Sequence, residues 1–150
     1  MKNYKDFAVS LAFQAGKIMK QNFVTGMQKE WKEDHTPLTK TDLAINELVL
    51  DAVRLNYREH GVLAEEESNF NGEDFVWVCD PIDGTFPFSH GYPTFTFSLA
   101  LVKNGKPILG LLFDPRSDFK STDHRRIWPT SASISVHDIW LLVQPHLPRQ

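Results

Sequence analysis

Lys103-Asn104-Gly105-Lys106 constrains the fold most tightly, because it stands between two apolar runs, Thr94-Phe95-Thr96-Phe97-Ser98-Leu99-Ala100-Leu101-Val102 and Pro107-Ile108-Leu109-Gly110-Leu111-Leu112-Phe113. Asn-Gly between apolar runs is the strongest short-range hairpin signal, so the two runs are expected to pair antiparallel. The first alternates at period two in its early part, as a strand with one buried face does. Upstream, Phe7, Leu11, Ala15, Ile18, Met19 and Phe23 recur at steps of three and four. That spacing predicts an amphipathic helix from about Asn3 to Asn22, ended by Gly26. A second helix is expected to start with Thr41 or Asp42 as its cap and to run through Leu43, Leu48, Ala52, Val53 and Tyr57 to about His60, closed by Gly61. Lys29 to Lys40, with mixed charge and Pro37, reads as strand and turn. Val62-Leu63-Ala64 and Phe75-Val76-Trp77-Val78-Cys79 read as further short strands, separated by a polar loop that turns at Asn71-Gly72. The expected class is α/β in α+β layers, with two helices packed on a mixed, largely antiparallel sheet.

A chain of 150 residues, 41% hydrophobic and 23% charged, has ordinary globular composition and can bury a core, so one domain is the default. The net charge of −3, without a basic run, argues against nucleic acid as partner. Cys79 is the only cysteine, which excludes an intrachain disulfide and a cysteine-rich metal site and fits a reducing cytoplasm. Its place at the end of an apolar run marks a buried structural thiol. Lys2 and Lys5 precede an apolar stretch, but Asp6 interrupts them and the apolar residues continue at helical spacing past Lys17, so no targeting segment is expected. No run approaches the roughly 18 apolar residues of a membrane span, and no membrane partner is expected.

The chemistry concentrates in Asp80-Pro81-Ile82-Asp83-Gly84-Thr85, which sets two carboxylates, a main-chain carbonyl and a hydroxyl directly after an apolar strand. Mg²⁺ prefers an all-oxygen shell of a few carboxylates completed by water and substrate phosphate. Asp-Pro-x-Asp-Gly also reads as a plain turn, with aspartates bonded to their own backbone. Glu65-Glu66-Glu67, as three adjacent acids, reads alone as a solvated run. Its place at the end of one short strand, with Asp80 at the end of the next, argues otherwise. Two such strands side by side would bring Glu66 and Asp80 together, and crowded carboxylates repel unless a cation neutralises them.

Glu65-Glu66-Glu67-Ser68 followed by Trp77-Val78-Cys79-Asp80-Pro81-Ile82-Asp83-Gly84-Thr85 resembles the paired motifs of the inositol monophosphatase family, Mg²⁺-dependent and often lithium-sensitive phosphomonoesterases. The resemblance spans about Phe7 to Asp118 and implies the N-terminal half of the inositol monophosphatase/fructose-1,6-bisphosphatase-like fold. It places Glu66, Asp80, the Ile82 carbonyl and Asp83 around two or three Mg²⁺ ions. Glu66, Asp42 and Thr85 become catalytic candidates, with Thr85 oriented by Asp42 to help activate a water. Gly84 and Thr85 become phosphate binders at a helix start, and Glu67 and Lys32 supporting residues around the ligands. The implied partner is a small phosphorylated metabolite, inositol monophosphate or a related sugar phosphate, with a homodimer in view. Phe86-Pro87-Phe88 departs from the small or amide residues the family often has after that threonine, and Pro87 has no N–H to give a phosphate.

Beyond Asp118 the resemblance stops. Residues 1–118 are expected to form a truncated metal-binding domain, and 119–150 a non-family tail, poorly ordered or irregular, of the kind a shifted reading frame or gene truncation produces. Ile139-Trp140-Leu141-Leu142-Val143 is the only candidate element in it. His124, His137 and His146 have spacings that fit no helix face and are read as non-ligands. Because the family places a further ligating aspartate in its second half, the rival expectation is an inactive fragment that binds metal weakly or serves as an interaction module.

Overall fold

The computed structural model describes residues 3–24, 27–33, 35 and 37–116, with the backbone of Arg125–Trp128. Helix α1, Tyr4–Asn22, starts at Asn3, whose side chain accepts from the Asp6 N–H at 3.2 Å. It buries Leu11, Ala15 and Met19 of the expected stripe, with Ala8 and Ala12 beside them, while Phe7, Ile18 and Phe23 pack half-buried against the core. Small residues on this stripe let the helix approach the sheet closely. A Cβ on Gly16 would lie 2.5 Å from Phe113 Cε1. The helix ends at Asn22, and Gly26 lies outside the described residues. Two-residue strands β1, Glu30–Trp31, and β2, Pro37–Leu38, then pair antiparallel, as the mixed-charge segment implied.

Helix α2, Lys40–Asn56, differs from expectation at both ends. Its cap is Thr39 rather than Thr41 or Asp42, because Thr39 is the residue with extended backbone, φ −112° and ψ 160°. The Thr39 side chain accepts from the N–H groups of Thr41 and Asp42 at 3.2 and 3.4 Å. Asp42 closes a reciprocal capping box by accepting the Thr39 N–H at 2.8 Å. At the other end the helix stops at Asn56, and Tyr57 donates its N–H to Val53 O at 2.7 Å. His60 and Gly61 are strand residues instead of the helix end. Aromatic packing explains this: His60 stacks on Tyr57 and Phe75 at 4.8 and 4.7 Å, and Trp77 Nε1 donates to His60 Nδ1 at 3.1 Å.

The main sheet has five strands in the order β3-β4-β5-β6-β7. They are β3, His60–Ala64; β4, Phe75–Asp83; β5, Thr96–Lys103; β6, Lys106–Phe113; and β7, Arg125–Trp128. Only β3 and β4 run parallel; the other pairs are antiparallel. Asn104 and Gly105 take φ of 48° and 74° in the β5–β6 turn, which realises the hairpin. Strand β4 continues past Cys79 to Asp83, and the ladder to β5 shifts register between Asp80 and Asp83. Pro81 sits inside that irregularity, where a missing N–H costs no ladder bond. Strand β7 falls within the segment expected to be irregular; Ile139 to Val143 and the three tail histidines lie outside the described residues.

Alternation along the strands sorts the two faces. Trp77, Cys79, Phe97, Leu99 and Leu101 join Leu11, Met19, Ile45, Val49 and Val53 in one core between the helices and the sheet. Each such side chain contributes about 1.5–3 kcal/mol on burial. The opposite face carries a smaller cluster, Val78 and Ala100 with Leu63, Val76 and Val102, and then the acidic residues.

Candidate metal and phosphate site

Parallel pairing of β3 with β4 matches Ala64 to Cys79, so the next residues, Glu65 and Asp80, emerge side by side. Beyond β3 the chain doubles back in a tight loop. Ser68 Oγ donates to Ala64 O and accepts from Ala64 N–H, both at 3.0 Å, and Val62 and Asn69 exchange two main-chain bonds of 2.8 Å. Asn46 of α2 holds the Glu67 main chain, donating to its carbonyl at 3.1 Å and accepting from its N–H at 3.4 Å. Glu65 and Glu66 are thereby presented from a fixed loop, while Glu67 is exposed.

The electrostatics follow from crowding. Asp80 is pushed up to about 9, by burial first, then by the charges of Glu65 and Asp83 and a hydrogen bond with Glu65. Its Oδ1 is buried without a hydrogen-bond partner. Burial also raises Glu66 and Asp83; Lys32 counteracts it at Glu66, and the Thr96 hydroxyl counteracts it at Asp83. Lys32 Nζ bridges Glu65 and Glu66 at 2.8 Å each. Burial pulls Lys32 down, but these two carboxylates outweigh it, and the ammonium stays charged. Among the described residues no three Asp, Glu, His or Cys side chains converge in a ready-made ligand cage. Lys32 offsets part of the charge instead.

The other half of the site is built by the turn after β4. Thr85 Oγ lies 3.0 Å from Asp42 Oδ1 and 2.9 Å from the Ile82 carbonyl, each able to accept its hydroxyl. Asp42 is fully buried, and burial raises its pKa against three hydrogen bonds that hold it down. The capping box of α2 therefore also fixes the hydroxyl of the motif. Gly84 adopts φ 100°, and a Cβ there would lie 2.7 Å from Thr94 O, so the turn requires glycine. A short helix α3, Thr85–Ser89, follows, with Pro87 inside its first turn.

Asp42, Thr85, Ile82, Asp83, Asp80, Glu66 and Lys32 thus lie in one region, with Gly84 as its hinge. Glu67 turns its main chain to α2. Glu65 is the residue the motif alone did not single out. Three consecutive glutamates look alike, and only the Ala64–Cys79 register shows that Glu65 meets Asp80. Thr96 was missed for a similar reason, since its contact to Asp83 arises from strand pairing. The donor set is all oxygen and carboxylate-rich, with an unpartnered inner carboxylate oxygen, and so fits a hard divalent cation.

A family model described as the inositol monophosphatase family matches residues 1–133, running past Asp118 and across β7. The bifunctional phosphatase IMPL2, chloroplastic, of Arabidopsis thaliana is 35% identical over 109 residues, 71% of this chain and 32% of that protein. The Nus factor SuhB of Escherichia coli K12 is 30% identical over 114 residues, 73% of this chain and 43% of that protein. Among solved structures, an IMPase from Thermotoga maritima aligns with a TM-score of 0.68 at 32% identity, covering 73% of this chain and 43% of that one. The chain spans from 32% to 47% of the length of such curated relatives. With the fold and the family match in agreement, the chain belongs to the inositol monophosphatase family.

Proposed function

We propose that this chain carries the first-half ligands of a Mg²⁺-dependent site that hydrolyses a phosphate monoester, inositol monophosphate or a related sugar phosphate. The observation that carries the reading is the Ala64–Cys79 register, which sets Glu65 beside Asp80, together with the buried and unpartnered Asp80 Oδ1. Glu65 joins Glu66, Asp80, Asp83 and the Ile82 carbonyl as a donor to two or three ions. When bound, Mg²⁺ supplies Lewis-acid stabilisation of phosphoryl oxygens and a lowered pKa for water. The chain's own part is positioning. Asp42 accepts the Thr85 hydroxyl, which leaves a Thr85 lone pair to orient an incoming water and accept its hydrogen bond. The N–H groups of Gly84 and Thr85 are the proposed phosphate donors, while Pro87 offers none. Lys32 offsets part of the carboxylate charge before a cation arrives. A cytoplasmic setting and a homodimer, or pairing with a longer relative, belong to the same proposal.

Lys32, which holds Glu65 and Glu66 at 2.8 Å each, favours a second reading, an inactive module that binds a cation weakly. Phosphate release from inositol 1-phosphate, measured across a Mg²⁺ titration beside Asp83→Asn, separates the two. The phosphatase reading expects Mg²⁺-dependent turnover that Asp83→Asn abolishes without unfolding the chain. Turnover unaffected by the substitution sinks the ligand assignment, and a folded chain without turnover favours the inactive module.

A further inference from the structure

Two buried side-chain atoms among the described residues have no hydrogen-bond partner, Asp80 Oδ1 and Ser98 Oγ. They belong to residues that sit opposite each other, since Asp80 on β4 is the register partner of Ser98 on β5. Ser98 is 9% exposed, and its flanking pairs on that face are Ala100 with Val78 and Thr96 with Asp83. The Thr96 hydroxyl already bonds the Asp83 carboxylate. Strand β5 thus sets one hydroxyl against each aspartate of the motif, and only the bond to Asp83 is made.

Leaving a buried hydroxyl unpaired is costly, so a small apolar residue would serve bare packing better at this position. Directly opposite residues of an antiparallel pair have Cβ atoms about 4.5–5.5 Å apart, within which a hydroxyl reaches a carboxylate oxygen by rotation alone. We infer that Ser98 is a positioning residue of the cation site, whose hydroxyl donates to the Asp80 carboxylate when a divalent cation is bound. Ser98 then supplies a donor from the side away from Glu65 and fixes the rotation of the ligating carboxylate, as residues behind metal ligands do. The inference rests on the cation reading above.

The test is a Mg²⁺ titration of the full chain, read by calorimetry and by melting temperature, for wild type, Ser98→Ala, Ser98→Thr and Asp80→Asn. Ser98→Ala is expected to raise the Mg²⁺ dissociation constant about tenfold, with a metal-free melting temperature equal to or above wild type. Ser98→Thr, which keeps the hydroxyl, is expected to restore the affinity, and Asp80→Asn to abolish the response. Wild-type affinity in Ser98→Ala, with the response lost in Asp80→Asn, overturns the role of Ser98 and leaves the cation reading standing. No Mg²⁺ response in wild type overturns both. Weakened binding with a lowered metal-free melting temperature and no rescue by threonine makes Ser98 merely structural and also overturns it.

Discussion

Lys32 donates to Glu65 and Glu66 at 2.8 Å each, and its side chain is 19% exposed, so water screens these bonds only in part. Removing the ammonium would leave two part-buried carboxylates beside Asp80 with their repulsion unrelieved. Lys32→Ala is therefore expected to lower metal-free stability by about 1–3 kcal/mol and to enlarge the gain on adding Mg²⁺, because the ion then relieves more repulsion. Urea unfolding with and without Mg²⁺ checks both signs; a metal-free stability unchanged from wild type would show that the bridge contributes nothing. At this scale the sequence was informative where a residue has a unique partner. Asp83-Gly84-Thr85 and Asp42 could be read because motif order leaves little choice. Glu65 could not be told from Glu66, since the distinction depends on which residue follows the last paired position of β3. Ser98 and Thr96 were hidden inside an apolar run, where a hydroxyl looks like strand propensity.

Tyr57 links four elements. It caps α2, packs at 5.3 and 4.8 Å on Tyr4 and Phe7 of α1, and stacks on His60 of β3 with Trp77 of β4 at 5.9 Å. Burial, with a smaller effect from Tyr4, raises its phenol above the ordinary 10.0. The folded state holds this proton more tightly than the unfolded chain, so the contribution is complete below pH 10 and declines as pH rises through the folded value. Wild-type stability is expected to fall more steeply above pH 10 than that of Tyr57→Phe; parallel alkaline limbs in thermal melts from pH 8 to 11 would contradict this. The same cluster explains why element boundaries were harder to read than elements. Periodicity runs smoothly from Leu48 through Tyr57, and nothing local marks Asn56 as the end. The stop comes from rings of α1 and β4 that draw Tyr57 and His60 out of helical geometry. Likewise β4 was expected to end at Cys79, but a bulge around Pro81 lets the strand carry the motif to Asp83.

The layered fold was legible because its signals are local: two stripes at helical spacing, an Asn-Gly turn and short apolar runs. Strand order was less so, since the parallel β3–β4 pair and the β6–β7 pairing depend on contacts between distant segments. These contacts give the molecule one main core. Residues of α1, α2, β3, β4, α3, β5 and β6 all enter a single apolar cluster, so no helix can leave without stripping a strand, and the described elements should unfold together. Cys79 is a direct reporter of that event. It is the only cysteine of the chain and 1% exposed, it faces the cluster, and burial raises its thiol well above the ordinary value. Thiolate is the reactive form, so the folded protein is expected to resist a thiol reagent and to be labelled only through opened molecules. Labelling of Cys79 and loss of helical circular dichroism are then expected to share one urea midpoint, and Mg²⁺ is expected to move both upward together. Labelling at lower urea than helix loss would mean that β4 separates from the helices first, and that the site's strands and its capping helix α2 do not form one cooperative unit.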